Sequence, residues 1–395
     1  MRYLKRAVLV IAVAIIVALS IVLAARYAHG LSFVIRASGV HGIVGRLAEF
    51  DAVPERTRPI RLHLPQGDFA ARVYTPSRQP RQTVLLVSGL HPAGIDEPRL
   101  VAFAHELART GVTVVTPDFP ELRLLEITPV LTGQVEQAAL SMLADRSLVP
   151  RGRIGLMGIS FSGGLAIVAA GRERLRHRLL YVFALGGHDD LPRVLRYLST
   201  GIEPAPPDSG LHGASTVALR RTPHVYGLAI VLLVIADRLV PAIQVAPLRD
   251  GVHRFLQASY LEEVDRPAAE KEYAAVAALA SQLTAPAGPL LAALCDHDTA
   301  ALGALLLAHL GSLPDAPEVS PSRSPAPTVP VFLLHGSSDT VIPAAESEYL
   351  ANRLRGQLPV RLLVTDLVSH AEATEGARAA DLLRAGSFWD DLLAR

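Results

Sequence analysis

The sequence predicts an α/β fold with a mostly parallel sheet that is covered by helices on both faces. Short apolar runs recur at residues 83–87, 112–116 and 179–185, and helical patterns separate them. Continuously apolar runs are typical of strands buried on both faces, and strands that alternate with helices form parallel sheets. Residues 60–64 and 69–74 flank a turn that contains glycine, which predicts an antiparallel hairpin at one edge of the sheet.

Composition excludes several classes of protein. The chain has 395 residues, half of them hydrophobic, so it can bury a large core. Its formal net charge of +1 provides no basic field for nucleic acid, and we expect no nucleic-acid partner. Cys295 is the only cysteine, which excludes an internal disulfide and a multi-cysteine metal site. The sequence leaves the oligomeric state open.

The amino-terminal residues predict a membrane anchor within residues 1–30. Residues 7–25 are apolar apart from Ser20, and a helix of this length would measure about 28 Å, close to the roughly 30 Å of a bilayer core. A cleaved signal peptide is the alternative, but its apolar part is usually only about 7 to 15 residues long. Arg2, Lys5 and Arg6 precede the run, so we expect a single-pass protein whose folded domain lies on the extracytoplasmic side.

The remaining chain divides into a juxtamembrane segment (31–59), a first core part (60–190), an inserted helical cap (191–327) and a second core part (328–395). Strand patterns are absent from the cap and helical ones dominate it. Its apolar run 225–236 is shorter than the ~20 residues of a membrane span, so we predict a buried cap helix, with contact to a membrane surface as the alternative. The segment 313–330 is rich in proline and serine, which predicts an exposed linker.

The strongest chemical signal is a serine between small residues. A strand over 154–157 would lead into a sharp turn at 159–161, and a helix would begin near Ser162. Gly158 precedes Ser160 by two positions, and Ser162 stands where the G-x-S-x-G pattern has its second glycine. Such a pattern also occurs in ordinary strand-to-helix turns. The catalytic interpretation therefore depends on whether an acid and a histidine follow.

Both follow in the expected order. Asp339 comes after the apolar strand pattern 331–334, and His370 comes after the strand pattern 359–365. The carboxyl ends of parallel strands meet at one edge of a sheet, so we expect Ser160, Asp339 and His370 to form a catalytic triad there.

In these residues the chain resembles the α/β-hydrolase superfamily. Its turn around Ser160, which has the pattern of a nucleophile elbow, is similar to that of dienelactone hydrolases and prolyl-oligopeptidase-type enzymes. So is the stretch from His335 and Gly336 through Asp339 to Pro343. The resemblance covers residues 81–187 and 328–395. Dienelactone hydrolases use a cysteine nucleophile where this chain has Ser160, so their specific chemistry is not implied.

The resemblance also implies an oxyanion hole. In α/β-hydrolases one backbone N–H comes from the loop after the third strand and another from the residue after the nucleophile. By position these donors are Leu90 and Phe161.

The sequence therefore predicts a membrane-anchored serine hydrolase that cleaves a carboxylic ester of a small molecule through an acyl-enzyme and needs no cofactor. A peptidase or an acyltransferase would use the same triad. A catalytically silent binding protein with this fold is a further alternative.

Two clusters could in principle bind a metal ion, namely residues 188–190 and 295–298. Neither has the i, i+4 spacing of a helical metal pair, and consecutive residues seldom all face one ion. We therefore predict loop or cap contacts there and no metal site.

Overall fold

A computed structural model of the chain describes residues 15–16, 27–40, 42–205, 220–311, 316–368 and 379–395. Most of the predicted anchor, residues 7–25, lies outside these ranges, and so does His370. Within the described ranges, no helix has the length and apolar character needed to cross a membrane.

The described strands form one 8-stranded sheet in the order β1-β2-β4-β3-β5-β6-β7-β8. They are β1 (Glu55–Leu64), β2 (Gly67–Pro76), β3 (Gln82–Val87), β4 (Val112–Pro117), β5 (Ile154–Ile159), β6 (Leu179–Leu185), β7 (Val331–Gly336) and β8 (Val360–Thr365). Strand β2 runs antiparallel to both of its neighbours, and the pairs from β4 to β8 are parallel. The predicted α/β class and the predicted hairpin at the sheet edge are confirmed.

Helices connect the strands and follow the sequence pattern closely. They are α1 (27–37 as described), α2 (Gly42–Leu47), α3 (Pro98–Arg109), α4 (Pro120–Arg123), α5 (Pro129–Ala144), α6 (Phe161–Gly171), α7 (Leu191–Thr200), α8 (Val225–Leu239), α9 (Ala242–Val264), α10 (Arg266–Gln282), α11 (Ala287–Cys295), α12 (Thr299–Leu310), α13 (Ala345–Leu354) and α14 (Ala379–Leu393).

The alternating side chains of the strands build a core on each face of the sheet. In β3, Leu85 and Val87 pack with α5, α6 and α13 on one face. Val84 and Leu86 pack with α1, α3 and α14 on the other face. Because side chains of a strand point alternately to the two faces of the sheet, a continuously apolar strand is buried on both faces, as the sequence predicts.

Helices α7 to α12 form a third apolar core in the predicted cap region. Most of α8 is buried within it, including Leu228, Val231 and Leu232 at 0% exposure. The apolar run of α8 is therefore a cap core helix, and its surface-contact alternative is not supported.

The prediction of an exposed linker at 313–330 is wrong for its described part, 316–330. Val319 and Ser320 are buried there. The Thr132 hydroxyl donates a 2.5 Å hydrogen bond to the Glu318 carbonyl, and the Ser320 hydroxyl accepts from the backbone N–H of Leu191. This proline-rich segment packs on the core because two short 3-10 helices, Pro317–Val319 and Pro321–Arg323, and hydrogen bonds to neighbouring elements give its backbone polar groups partners.

Candidate active site

Ser160 occupies a strained turn between β5 and α6. Its backbone has φ 55° and ψ −131°, a conformation that residues other than glycine rarely adopt. The Ser160 N–H donates to the Leu185 carbonyl at 2.6 Å, which ties the turn to the end of β6. This is the geometry of a nucleophile elbow, in which the serine hydroxyl is lifted off the carboxyl edge of the sheet.

The small residues around Ser160 are required by close backbone packing. A Cβ at Gly158 would lie 2.1 Å from the Ser162 carbonyl oxygen, so only glycine fits there. Ser162 has 0% exposure. Ser160 is half-buried and lines a cavity of about 650 Å³ at this edge of the sheet. Ser162 is thus a small buried residue of the elbow helix, and Ser160 is the serine accessible to a ligand.

The loop after β3 passes directly beside the elbow. A Cβ at Gly89 would lie 3.3 Å from the Ser160 Cβ. The Leu90 carbonyl accepts a 2.7 Å hydrogen bond from the Tyr226 hydroxyl of the cap, and the His91 N–H donates to the Leu122 carbonyl at 3.0 Å. The loop is therefore held from both sides at the position where the sequence predicts the Leu90 oxyanion donor.

Phe161 is the first residue of α6. The first N–H groups of a helix have no acceptor within the helix, and the helix dipole adds partial positive charge at this end. The Phe161 N–H therefore belongs to the donor-rich end of α6 beside Ser160.

Asp339 lies on the loop after β7 and is 1% exposed. Its Oδ1 accepts hydrogen bonds from the N–H groups of Val341 and Ile342 at 2.8 and 2.9 Å. A Cβ on Gly186, just after β6, would lie 3.6 Å from Asp339 Oδ2. The Gly186 N–H also donates to the Leu334 carbonyl at 2.8 Å. Ser160 and Asp339 therefore follow strands separated only by β6.

His335 holds the Asp339 loop, a role that the sequence did not reveal. Its Nε2 donates to the Ile342 carbonyl at 2.8 Å and lies 3.4 Å from Asp339 Oδ2. Its Nδ1 is 2.7 Å from the Ser347 hydroxyl of α13. The ring is fully buried, so its contacts hold the loop in place and it is not accessible to a ligand from solvent.

The third predicted member of the triad, His370, lies outside the described residues. The chain before it is described as far as Val368. Strand β8 pairs with β7 up to Thr365, opposite Gly336. Thr365 and Val368 both line the cavity that contains Ser160. The stretch that leads to His370 thus leaves the sheet at the same edge as Ser160 and Asp339.

A cavity of about 650 Å³ lies over the elbow and extends to both sides of Ser160. Its first side is formed by apolar cap residues, namely Leu191, Val194, Leu195, Leu198, Ile230 and Leu256. Its second side is formed by apolar residues of α1, α3 and the carboxyl-terminal part of the chain, namely Phe33, Val34, Phe103, Leu367 and Trp389. A cavity of this size and character suits a largely apolar small molecule.

His91, on the loop after β3, also lines the cavity, and no role for it was predicted from the sequence. Its ring lies 4.7 Å from that of Tyr260 in an edge-to-face contact, and its Nδ1 accepts from the Ala93 N–H at 3.1 Å. Burial lowers the pKa of His91 to about 4, so the ring is neutral near pH 7 and carries its proton on Nε2. It offers the cavity a neutral polar group.

The clusters considered as metal sites have other roles. His188 stacks on Phe161 with ring centroids 5.0 Å apart, and its Nε2 donates to the Val319 carbonyl at 2.7 Å. Asp298 caps α12 by accepting from the Ala301 N–H. Burial raises the pKa of the Cys295 thiol. Among the described residues, no group of three or more His, Cys, Asp or Glu is arranged to hold a metal ion.

Comparisons with known proteins give structural matches only. No protein-family model matches the chain, and no curated protein matches it significantly. The chain is similar to an esterase from Pyrobaculum calidifontis, with a TM-score of 0.45, 16% identity and coverage of 93% of this chain and 91% of the esterase. It is also similar to a dienelactone hydrolase from Anabaena variabilis, with a TM-score of 0.44, 13% identity and coverage of 85% and 96%. An acylaminoacyl peptidase from Pyrococcus horikoshii matches with a TM-score of 0.44 and 12% identity over 88% of this chain and 42% of the peptidase.

The sheet and the turn at Ser160 have the geometry of one known fold. A mostly parallel sheet with a reversed second strand, and a serine at positive φ between β5 and a helix, are the defining features of the α/β-hydrolase fold. The strand order and the geometry of the turn thus agree with the α/β-hydrolase fold that the sequence predicts.

Proposed function

We propose that this protein is a serine hydrolase that cleaves a carboxylic ester through an acyl-enzyme on Ser160. One observation carries the proposal. Ser160 is held at φ 55° in an elbow, faces a largely apolar cavity and lies against the Gly89 loop. A strained serine at a ligand cavity, beside backbone N–H donors, is arranged for acyl transfer.

The proposed reaction has two steps. His370 takes the proton from the Ser160 hydroxyl as its oxygen attacks the ester carbonyl, and the Leu90 and Phe161 N–H groups stabilise the oxyanion. The C–O bond to the alcohol then breaks, and His370 returns the proton to the leaving alcohol. Water attacks the acyl-enzyme by the same route, releases the acid and restores Ser160.

Asp339 is proposed to orient His370 and to stabilise its protonated form. The carboxylate is suited to this role because the Val341 and Ile342 N–H groups fix its Oδ1, and Oδ2 faces the Gly186 side of the sheet edge. A buried carboxylate fixed in this way can hold one imidazole tautomer.

We also propose that residues 7–25 anchor the protein in a membrane, with the hydrolase domain on the extracytoplasmic side. The support is the uninterrupted apolar character of this run apart from Ser20 and the basic residues before it.

The activity is tested with a panel of p-nitrophenyl esters of increasing acyl length and a panel of aminoacyl p-nitroanilides. We expect ester hydrolysis that Ser160→Ala removes and Ser162→Ala retains, because Ser162 is buried away from the cavity. Hydrolysis of the anilides alone would assign a peptidase. Product formation only with an added alcohol would assign an acyltransferase. Binding of esters without turnover would assign a silent binding protein.

A further inference from the structure

Helix α2 and the turn after it expose four apolar side chains. Ile43, Val44, Leu47 and Phe50 are 70%, 52%, 68% and 65% exposed. In a helix, residues three and four apart share a face, so Ile43, Val44 and Leu47 lie together. The Phe50 N–H donates to the Leu47 carbonyl at 3.4 Å, which keeps Phe50 close to them, and the four side chains are called here the α2 patch. Four large apolar side chains grouped on a surface indicate an interaction site, whereas scattered ones do not.

The polar contacts of the same segment point inward. Arg36 of α1 is 8% exposed and bonds to the Ala48 carbonyl and to the carboxylates of Asp51 and Glu106. Ser32, 2% exposed, also bonds to the Ala48 carbonyl. Charged groups are therefore buried beneath the segment while its apolar groups face out, which is the reverse of the usual pattern at a water-facing surface.

The polar contacts also show which end of α1 the segment approaches. His29 and Ser32, in the first turns of α1, both contact the Asp51 carboxylate. Phe50 therefore lies beside the beginning of α1, and the apolar run 7–25 ends at Ala25, two residues before α1 is first described. A bilayer that holds residues 7–25 would lie against this end of α1.

From this placement we infer that the α2 patch lies flat on the lipid bilayer surface, with Phe50 nearest the anchor and Ile43 nearest the end of α1. Apolar side chains of a surface-lying helix enter the boundary between headgroups and acyl chains. This inference rests on the proposed anchoring by residues 7–25 and is independent of the proposed chemistry at Ser160.

Docking would place one opening of the cavity at the bilayer. Ala37 and Ser38 at the end of α1 line the cavity and are half-exposed, and Arg99 and Ala102 of α3 line it and are exposed. The cavity thus reaches the surface next to the turn that leads into α2. The substrate class that this arrangement serves is an apolar ester dissolved in the bilayer, which enters without crossing water.

Fluorescence quenching tests the docking directly. Full-length Phe50→Trp protein is reconstituted into phosphatidylcholine vesicles with or without lipids brominated on their acyl chains. The native Trp389 is 4% exposed and supplies a constant background. The matched control is Ile243→Trp, at a cap position that is 86% exposed. We expect brominated lipid to remove at least about half of the emission added by Phe50→Trp and almost none of that added by Ile243→Trp.

Three results would overturn the inference, and each has a different meaning. Failure of the full-length protein to float with vesicles would remove the anchor as well as the docking. Flotation without quenching at Phe50→Trp, but with a blue-shifted emission, would assign the patch to a second protein surface. Quenching at Ile243→Trp alone would place the cap on the bilayer instead.

A kinetic comparison tests the consequence. The triple variant with Ile43→Ser, Leu47→Ser and Phe50→Ser is expected to hydrolyse a soluble short-chain ester at the wild-type rate and a long-chain ester embedded in vesicles at least about tenfold more slowly. Equal loss on both esters, or no loss on either, would contradict docking. Failure of the proposed chemistry would appear separately, as no hydrolysis by the wild type.

Discussion

The Tyr226 hydroxyl donates a 2.7 Å hydrogen bond to the Leu90 carbonyl, so a cap side chain holds the loop beside Ser160. Burial raises the pKa of Tyr226, which keeps the hydroxyl protonated and able to donate at every physiological pH. The cap therefore contributes to the position of the Leu90 peptide as well as to the walls of the cavity.

Replacing Tyr226 by phenylalanine is expected to lower kcat by about tenfold, which corresponds to the roughly 1.4 kcal/mol of one hydrogen bond. The ring remains in place, so KM and the thermal unfolding midpoint should change little. The matched control is Tyr273→Phe, because the Tyr273 hydroxyl bonds to Glu262 within the cap. Wild-type kcat in Tyr226→Phe would show that the loop does not depend on the cap.

Asp339→Asn tests the proposed orienting role of the carboxylate. The amide oxygen can still accept from the Val341 and Ile342 N–H groups, so the loop should fold normally. We expect kcat to fall by about 10³- to 10⁴-fold, because a neutral amide cannot stabilise a protonated histidine. Asp298→Asn, at the cap of α12, is the control. An Asp339→Asn enzyme that keeps more than about a tenth of its activity would remove Asp339 from the triad.

Gly158→Ala should destabilise the fold at the elbow. The added Cβ would lie 2.1 Å from the Ser162 carbonyl, and neither backbone can move without disrupting the turn. We expect a loss of at least about 2 kcal/mol, measured as a lower thermal unfolding midpoint. Gly311→Ala, where the new Cβ meets nothing described within 4 Å, should leave the midpoint unchanged or slightly higher. Equal midpoints for the two variants would contradict the close packing of the elbow.

His91 should make stability depend on pH. Its pKa is lowered from 6.5 to about 4 in the folded protein, so between these values the unfolded chain binds a proton that the folded chain does not. Stability is therefore lost as pH falls below 6.5, by on the order of 2 kcal/mol at pH 5. The fall in unfolding midpoint from pH 7.5 to pH 5 should be smaller in His91→Gln than in the wild type. An identical fall in both would show that His91 titrates normally.

The sequence predicted what local patterns determine. Strands such as β6 are apolar at every position, and the elbow requires small residues at neighbouring positions in the sequence. Both features could therefore be predicted from the sequence alone. Strand β1 begins at Glu55, earlier than predicted, because its first residues are exposed and are held by pairing with β2.

Contacts between residues that are far apart in the sequence could not be predicted from it. The proline-rich stretch near Ser320 looked exposed because its burial depends on hydrogen bonds to Leu191 and Thr132 elsewhere in the chain. The role of Tyr226 depends on a partner 136 positions away, at Leu90. The strand pattern of β7 likewise did not reveal that His335 braces the loop of Asp339. Local sequence patterns therefore predict strands and the turn at Ser160, whereas supporting contacts between distant residues become known only from the structure.

The most direct test of the central claim is covalent labelling with a fluorophosphonate probe, followed by mass spectrometry of the labelled peptides. We predict one label on Ser160, unchanged labelling of Ser162→Ala and none of Ser160→Ala. An unlabelled wild type, or a Ser160→Ala variant labelled as strongly as the wild type, would contradict the assignment of Ser160 as the nucleophile.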